Sequence, residues 1–255
     1  MNADLQYLRR IMSSEILSKK QQKYQDRLRR SKREKLKKQA TNLTLIIVGV
    51  GIIILALLYP SFQPITDLVE PTPRSHPLAD GNSLGDPAAP ITLEVYSDFK
   101  CPACEYFYSS VEPLIIQNYV ETGLVYFTYH TFGNRINPPQ SGLTSQALYC
   151  ADDQGNFWEM HDYIYSNYTY GSSKGFTDKA LETMAANIGL DQDVFSNCLA
   201  NEIHTDQLEQ DVEAGMAAGI PGTPSVIING VLLDSFEYAD IQAEIERILA
   251  DEIIE

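Results

Sequence analysis

Cys101-Pro102-Ala103-Cys104 is the stretch of this 255-residue chain whose residue types and spacing lend themselves most readily to chemistry. The reactive form of cysteine is the thiolate, and a helix N-terminus stabilises negative charge through its free N–H groups and its dipole. Pro102 suits a first helical position, because its φ is already helical and its missing N–H has no bond to lose there. Cys101 then falls near the N-cap, exposed and activated. Cys104 lies one turn further on, able to close a disulfide on it. The chemistry expected is a reversible dithiol. Half of a zinc site and a purely structural disulfide are the alternatives, but no second C-x-x-C exists to complete a four-cysteine zinc site.

The motif needs a strand before it and a helix after it. Residues 91–96 (ITLEVY) read as that strand, and 102–120 as the helix, with Pro113 expected to kink it. Gly123 ends the helix, and 124–130 (LVYFTYH) form a second strand rich in β-branched and aromatic residues. Strand, helix, strand with a right-handed crossover makes the two strands parallel neighbours. From about 139 to 219 the pattern turns helical, in segments near 141–152, 156–167, 178–188, 191–199 and 202–218. Asp178 and Asp191 stand where N-caps are wanted. Within these helices Phe157, Trp158, Met160 and Tyr163 read as packing residues, and His161 as a partly buried helix histidine, with reach to the active-site groove as the alternative. Two short apolar runs, 225–228 and 231–233, are joined by Asn229-Gly230, a strong hairpin signal. An amphipathic helix over about 238–249 closes the chain.

The net charge of −15 hides an asymmetry. Residues 1–40 hold 13 Lys/Arg against 4 Asp/Glu, and residues 41–255 hold 6 against 30, so +9 and −24 sum to −15. So acidic a main domain disfavours nucleic acid as a partner. Residues 43–59 (LTLIIVGVGIIILALLY) carry no charge, about the shortest length that crosses a bilayer core. Following a basic block, they read as a retained signal-anchor, with residues 1–42 cytoplasmic and everything after Tyr59 outside. The basic block is expected as a charged helix lying against the anionic inner leaflet. Residues 60–83, rich in Pro, Gly, Ser and Asp, read as a linker, and His76 within it as a solvated loop histidine. All four cysteines lie beyond the membrane segment, in a compartment where disulfides persist.

The order of strand, C-P-x-C helix, strand, helical insert, G-x-P-G-T-P, strand, N-G, strand and helix resembles the DsbA/BdbD-like thiol-disulfide oxidoreductases, most of all their membrane-tethered bacterial forms. The motifs Glu94-Val-Tyr-Ser-Asp98-Phe-Lys-Cys101-Pro-Ala-Cys104 and Gly222-Thr223-Pro224 carry the resemblance, which covers about 84–248. It implies an α/β thioredoxin-like fold over 84–252, with an inserted helical domain at about 139–219, after one transmembrane helix. By that resemblance Cys101 is the nucleophile and Cys104 the buried resolving thiol. Pro224 is a cis proline beside them, preceded by Thr223; an ordinary trans proline is the alternative. Glu94 would be a buried acid relaying the proton of Cys104, unless it faces outward without a role. Asp98 and Lys100 could tune the thiolate. Cys150 and Cys198 would form a structural disulfide, with free buried thiols as the alternative.

The expected function is a membrane-anchored extracytoplasmic thiol-disulfide oxidoreductase, most of all an oxidase introducing disulfides into exported proteins. Isomerase or reductase action on the same fold, a redox-inert tethered binding module and a zinc domain are the rivals. Expected partners are folding exported proteins with cysteines, a quinone-linked membrane reoxidase, and membrane lipid through the anchor. No cofactor or metal is expected.

Overall fold

The computed structural model describes residues 3–59, 65, 67–132 and 140–252. The chain divides into two compact units, Met1–Pro64 and Ile65–Glu255.

The first unit is one helix, α1 (Ala3–Leu58), of 56 residues. Its C-terminal part makes it long and apolar enough to cross a membrane. The basic and apolar stretches are continuous in this one helix.

The second unit is built on a five-stranded sheet of order β1-β3-β2-β4-β5. Its strands are β1 (Ser83–Leu84), β2 (Ile91–Ser97), β3 (Val125–Thr131), β4 (Ser225–Ile228) and β5 (Val231–Leu232). β2 and β3 pair in parallel, Leu93 opposite Phe127 and Val95 opposite Tyr129. The connection between them is α2, a continuous helix over 102–120. Around Pro113, where a kink is expected, π-type turns, Phe107–Val111 and Ile116–Val120, flank a short α turn, Glu112–Ile115. β4 runs antiparallel to β2, and the β4–β5 hairpin turns on Asn229 (φ 48°) and Gly230 (φ 78°), both left-handed as a two-residue hairpin requires.

Among the described residues, six helices stand between β3 and β4: α3 (Gln140–Asp152), α4 (Phe157–Ser166), α5 (Tyr168–Lys174), α6 (Asp178–Asn187), α7 (Gln192–Ala200) and α8 (Thr205–Ala217). α9 (Tyr238–Glu252) ends the described chain. Asp191 caps α7 as expected, accepting from the N–H of Val194, whereas Thr177 rather than Asp178 caps α6. The short α5 was not legible from sequence.

Alternation along the strands gives the sheet two covered faces. On one, Leu93, Val95, Phe127 and Tyr129 join the main core with Cys104, Val111, Ile115, Trp158, Met160 and Tyr163. On the other, Tyr96, Phe132, Ile220 and Ile227 form a smaller cluster with Val212 of α8. Gly215 lets α8 approach that second face: a Cβ there would stand 2.6 Å from the Phe132 ring and 3.0 Å from Tyr96.

The expected linker over 60–83 is shorter than the sequence suggested. Leu68 packs on the main core, and the backbone of Val69 exchanges two 2.8 Å hydrogen bonds with the Asn167 side chain. Arg74 donates to the Tyr108 carbonyl at 2.9 Å, and His76 bonds Asp162 at 3.0 Å, so His76 is not a solvated histidine. Proline-rich composition marks irregular backbone, but irregular backbone can be tied down by side chains. We call residues 67–78 the strap.

Candidate active site

The end of β2 delivers the chain into a turn that α2 closes. Cys101 is the N-cap, in extended conformation (φ −84°, ψ 123°), with Pro102 opening the helix as its fixed φ favours. The Cys101 N–H donates to the Asp98 carbonyl at 3.0 Å, and the Cys101 carbonyl accepts from the N–H groups of Cys104 and Glu105, each at 3.1 Å. Its thiol is half-buried and donates to the Thr223 carbonyl at 3.3 Å. Cys104 is fully buried, and its sulfur accepts the Asp98 backbone N–H at 3.4 Å. The two cysteines are present as free thiols.

Their electrostatics diverge. Cys101 is pulled down to about 5, first by the hydrogen bond from the Cys104 thiol; burial opposes this, while Thr223 and the N–H groups of Cys104 and Ala103 reinforce it. Cys104 goes the other way: burial pushes it well above the ordinary thiol range, and its bond to Cys101 adds to that. One thiol of the pair is therefore a thiolate at neutral pH and its neighbour holds its proton.

Thr223 and Pro224 come from the segment before β4, brought beside Cys101 because β4 pairs with β2. The Thr223–Pro224 peptide is cis. A groove of about 390 Å³ opens alongside, lined by Gly222, Thr223, Pro224, Leu232, Leu233 and Phe236 among others.

Asp98 organises the turn more than the sequence suggested. Its buried carboxylate accepts the Lys100 N–H at 2.9 Å and the Ser141 hydroxyl at 2.7 Å, tying the active-site turn to α3. Burial raises its pKa, and those two bonds oppose the rise. Behind Cys104 runs a line of buried hydroxyls, Ser97 to Tyr165 at 2.7 Å and Tyr165 to Tyr129 at 3.1 Å.

Glu94 is where the structure departs from expectation. It is not a buried acid behind Cys104. Strand alternation puts it on the face of Tyr96, opposite the face of Leu93 and Val95 that carries the main core. Its side chain is 35% exposed and bonds His130 at 3.0 Å. That bond, outweighing partial burial, lowers its pKa instead of raising it. Glu94 is thus no reservoir for the proton of Cys104.

Cys150 of α3 and Cys198 of α7 form a disulfide with Cα atoms 5.8 Å apart, joining two inserted helices. Their sulfurs, grouped with His204, are therefore not open to a metal. His161, expected partly buried and near the groove, is wholly buried instead. Asn167 is buried, and its side chain is bonded to the backbone of Val69.

Comparison with known proteins gives the family and the fold. Residues 79–247 match the family described as Thioredoxin. The chain is 25% identical over 173 residues to disulfide bond formation protein D of Bacillus subtilis, covering 65% of this chain and 76% of that one. In fold it resembles the crystal structure of oxidised BdbD from Bacillus subtilis, with TM-score 0.61 and 22% identity, over 70% of this chain and 98% of the other. It also resembles Chlamydia trachomatis DsbA, with TM-score 0.58 and 24% identity, over 71% and 98%. The chain belongs to the thioredoxin family and is a thiol-disulfide oxidoreductase.

Proposed function

We propose that this protein is a membrane-anchored oxidase that gives its Cys101–Cys104 disulfide to exported proteins, with α1 as a single-pass anchor and the thioredoxin domain outside the cytoplasm. The observation that carries the direction of transfer is the divergence of the two thiols, Cys101 held near 5 and Cys104 pushed up. A stabilised Cys101 thiolate stabilises the reduced form, and a stabilised reduced form makes the disulfide a strong oxidant.

In this reading a substrate thiolate attacks the Cys101 sulfur and displaces Cys104, giving a mixed disulfide. A second substrate thiolate attacks the substrate sulfur and releases Cys101 as a good leaving group. The groove beside Thr223 and Pro224 would hold the substrate as an added extended segment. Cys150–Cys198 would be structural. A quinone-linked membrane partner would restore the disulfide, and lipid would contact only the anchor.

Alkylation trapping of the thiols in cells tests the direction. An oxidase holds Cys101–Cys104 oxidised at steady state. A pair found reduced would favour isomerase or reductase action.

A further inference from the structure

Helix α2 carries Cys101 and Cys104 at its start, and its hydrogen-bond ladder has a gap further along. In the π-type turn over Phe107–Val111, the Glu112 N–H donates to the Phe107 carbonyl, five residues back. The Tyr108 carbonyl would take its bond from residue 112 in an α turn, or from residue 113 in a π turn. Glu112 is already spent on Phe107, and Pro113 has no N–H to give. Tyr108 is buried, and a buried carbonyl without a donor is costly.

A donor comes from outside the helix. Nη1 of Arg74 donates to the Tyr108 carbonyl at 2.9 Å. The same nitrogen lies 3.5 Å from Oε1 of Glu112, whose carboxyl is buried one turn beyond Tyr108. The guanidinium also rests over the Tyr108 ring, 3.6 Å from its centre, where the face of the ring attracts a cation. One side chain thus grips α2 by a carbonyl, a ring and a carboxyl across the turn before Pro113.

Arg74 is presented from backbone that is fastened on both sides. Before it, Val69 exchanges two 2.8 Å bonds with Asn167; after it, His76 bonds Asp162 of α4 at 3.0 Å. Fixing a long side chain costs rotamer freedom, and a strap already tied down lowers the further cost of ordering the chain that bears it.

The residues Arg74 grips are packed toward the dithiol. The Tyr108 ring stacks on Tyr165 with centroids 4.7 Å apart and planes 14° from parallel. The Tyr165 hydroxyl bonds that of Ser97 at 2.7 Å, and the Ser97 hydroxyl bears on the Cys104 thiol, opposing the effect of burial there. Cys101 takes its activation from the Cys104 thiol and from the N–H groups of Cys104 and Ala103, all on the first turn of α2.

We propose that Arg74 is a positioning residue for the dithiol: its guanidinium stands in for the backbone N–H that Pro113 lacks, and so holds in place the helix that carries Cys101 and Cys104. The inference rests on the redox reading above. Arg74 acts through α2 and not on the sulfurs. Without it the Tyr108 carbonyl is left bare, α2 shifts to find another donor, and the first-turn groups aimed at Cys101 shift with it.

The test uses the full chain as wild type, Arg74→Met, Arg74→Lys, Pro113→Ala and the double variant Arg74→Met/Pro113→Ala. Two quantities are read on each: the urea midpoint, and the pH profile of Cys101 alkylation in the reduced, folded protein. Arg74→Met should lower the midpoint and move the Cys101 profile up toward the ordinary thiol range. Arg74→Lys keeps a charged donor and should recover part of both. Pro113→Ala returns a donor to the Tyr108 carbonyl, from position 113 in a π turn or from Glu112 in an α turn. In that background Arg74→Met should cost much less, a coupling that the double-mutant cycle reads directly. Where Arg74→Met does not fold alone, Arg74→Lys carries the same cycle. An unmoved Cys101 profile in the folded Arg74 variants would make Arg74 a brace for the fold and nothing more. An equal loss with and without Pro113 would mean that Arg74 does not replace the missing N–H. Either result overturns the proposal. A wild-type Cys101 that titrates in the ordinary thiol range would instead sink the redox reading on which it rests.

Discussion

The thiol of Cys101 meets the carbonyl oxygen of Thr223 at 3.3 Å, although the two residues are 122 positions apart. The sheet creates this meeting: β4 pairs with β2, so the residue before Pro224 and the N-cap of α2 emerge at the same edge. Thr223 is therefore in direct contact with the Cys101 sulfur.

Removing the Cys104 thiol should undo most of the activation of Cys101, because its hydrogen bond is the largest cause of the lowered pKa. In Cys104→Ala, the pH profile of Cys101 alkylation should move up from about 5 toward the ordinary thiol range. In Cys104→Ser the hydroxyl keeps a donor, and a smaller rise is expected, together with covalent partners trapped on Cys101. An unchanged profile in both would assign the activation to the helix terminus alone.

The same shift links stability to pH. A thiol whose folded pKa is depressed contributes stability that is complete above its unfolded pKa, about 8.5, and is lost as pH falls through its folded value. The oxidised protein lacks this contribution. The difference in thermal midpoint between the reduced and oxidised forms should therefore move in favour of the reduced form as pH rises from about 5 to about 8. A difference independent of pH across that window would contradict the assignment.

Asp98 should matter for the shape of the turn. Asp98→Ala leaves the Lys100 N–H and the Ser141 hydroxyl without their acceptor, and should cost about 1–3 kcal/mol in denaturant unfolding. Asp98→Asn keeps an acceptor oxygen and should recover most of the loss. Equal destabilisation by both would mean that the carboxylate charge, not its hydrogen bonds, holds the turn.

Breaking Cys150–Cys198 by a double serine substitution frees a loop spanning a sequence separation of 48. On the chain-entropy account the loss is about 4 kcal/mol. Unfolding by urea should register it, with glutathione reactivity of Cys101 retained at low temperature. Loss of that reactivity in the folded variant would give the second disulfide a part in the chemistry.

Much of the fold was legible because its signals are local. Strand alternation over 91–97, the Asn229-Gly230 turn and the proline after Cys101 each dictate their own conformation. The dithiol followed from motif spacing, and its partner segment Thr223-Pro224 from the family resemblance. What was not legible depended on tertiary packing. Ser83–Leu84 is too short to announce itself as a strand and exists through its pairing with Phe127 and Thr128. The strap looked like linker because its anchors, Arg74 and His76, are polar residues whose partners lie elsewhere in sequence. The resemblance implied a buried Glu94, with an outward-facing side chain as the alternative, and the structure puts it on the face away from Cys104. The period-two pattern through Leu93 and Val95 already pointed Glu94 away from the core shared with Cys104. Glu112 shows the converse: four-residue spacing from Cys104 and Tyr108 put a charged residue on the buried face, a signal that composition alone hides.

The reduction potential of the Cys101–Cys104 pair, equilibrated against glutathione, tests the central claim most directly. A thiolate stabilised as the geometry indicates predicts an oxidising pair, at or above roughly −180 mV. A value near the roughly −270 mV of a reducing thioredoxin would contradict it.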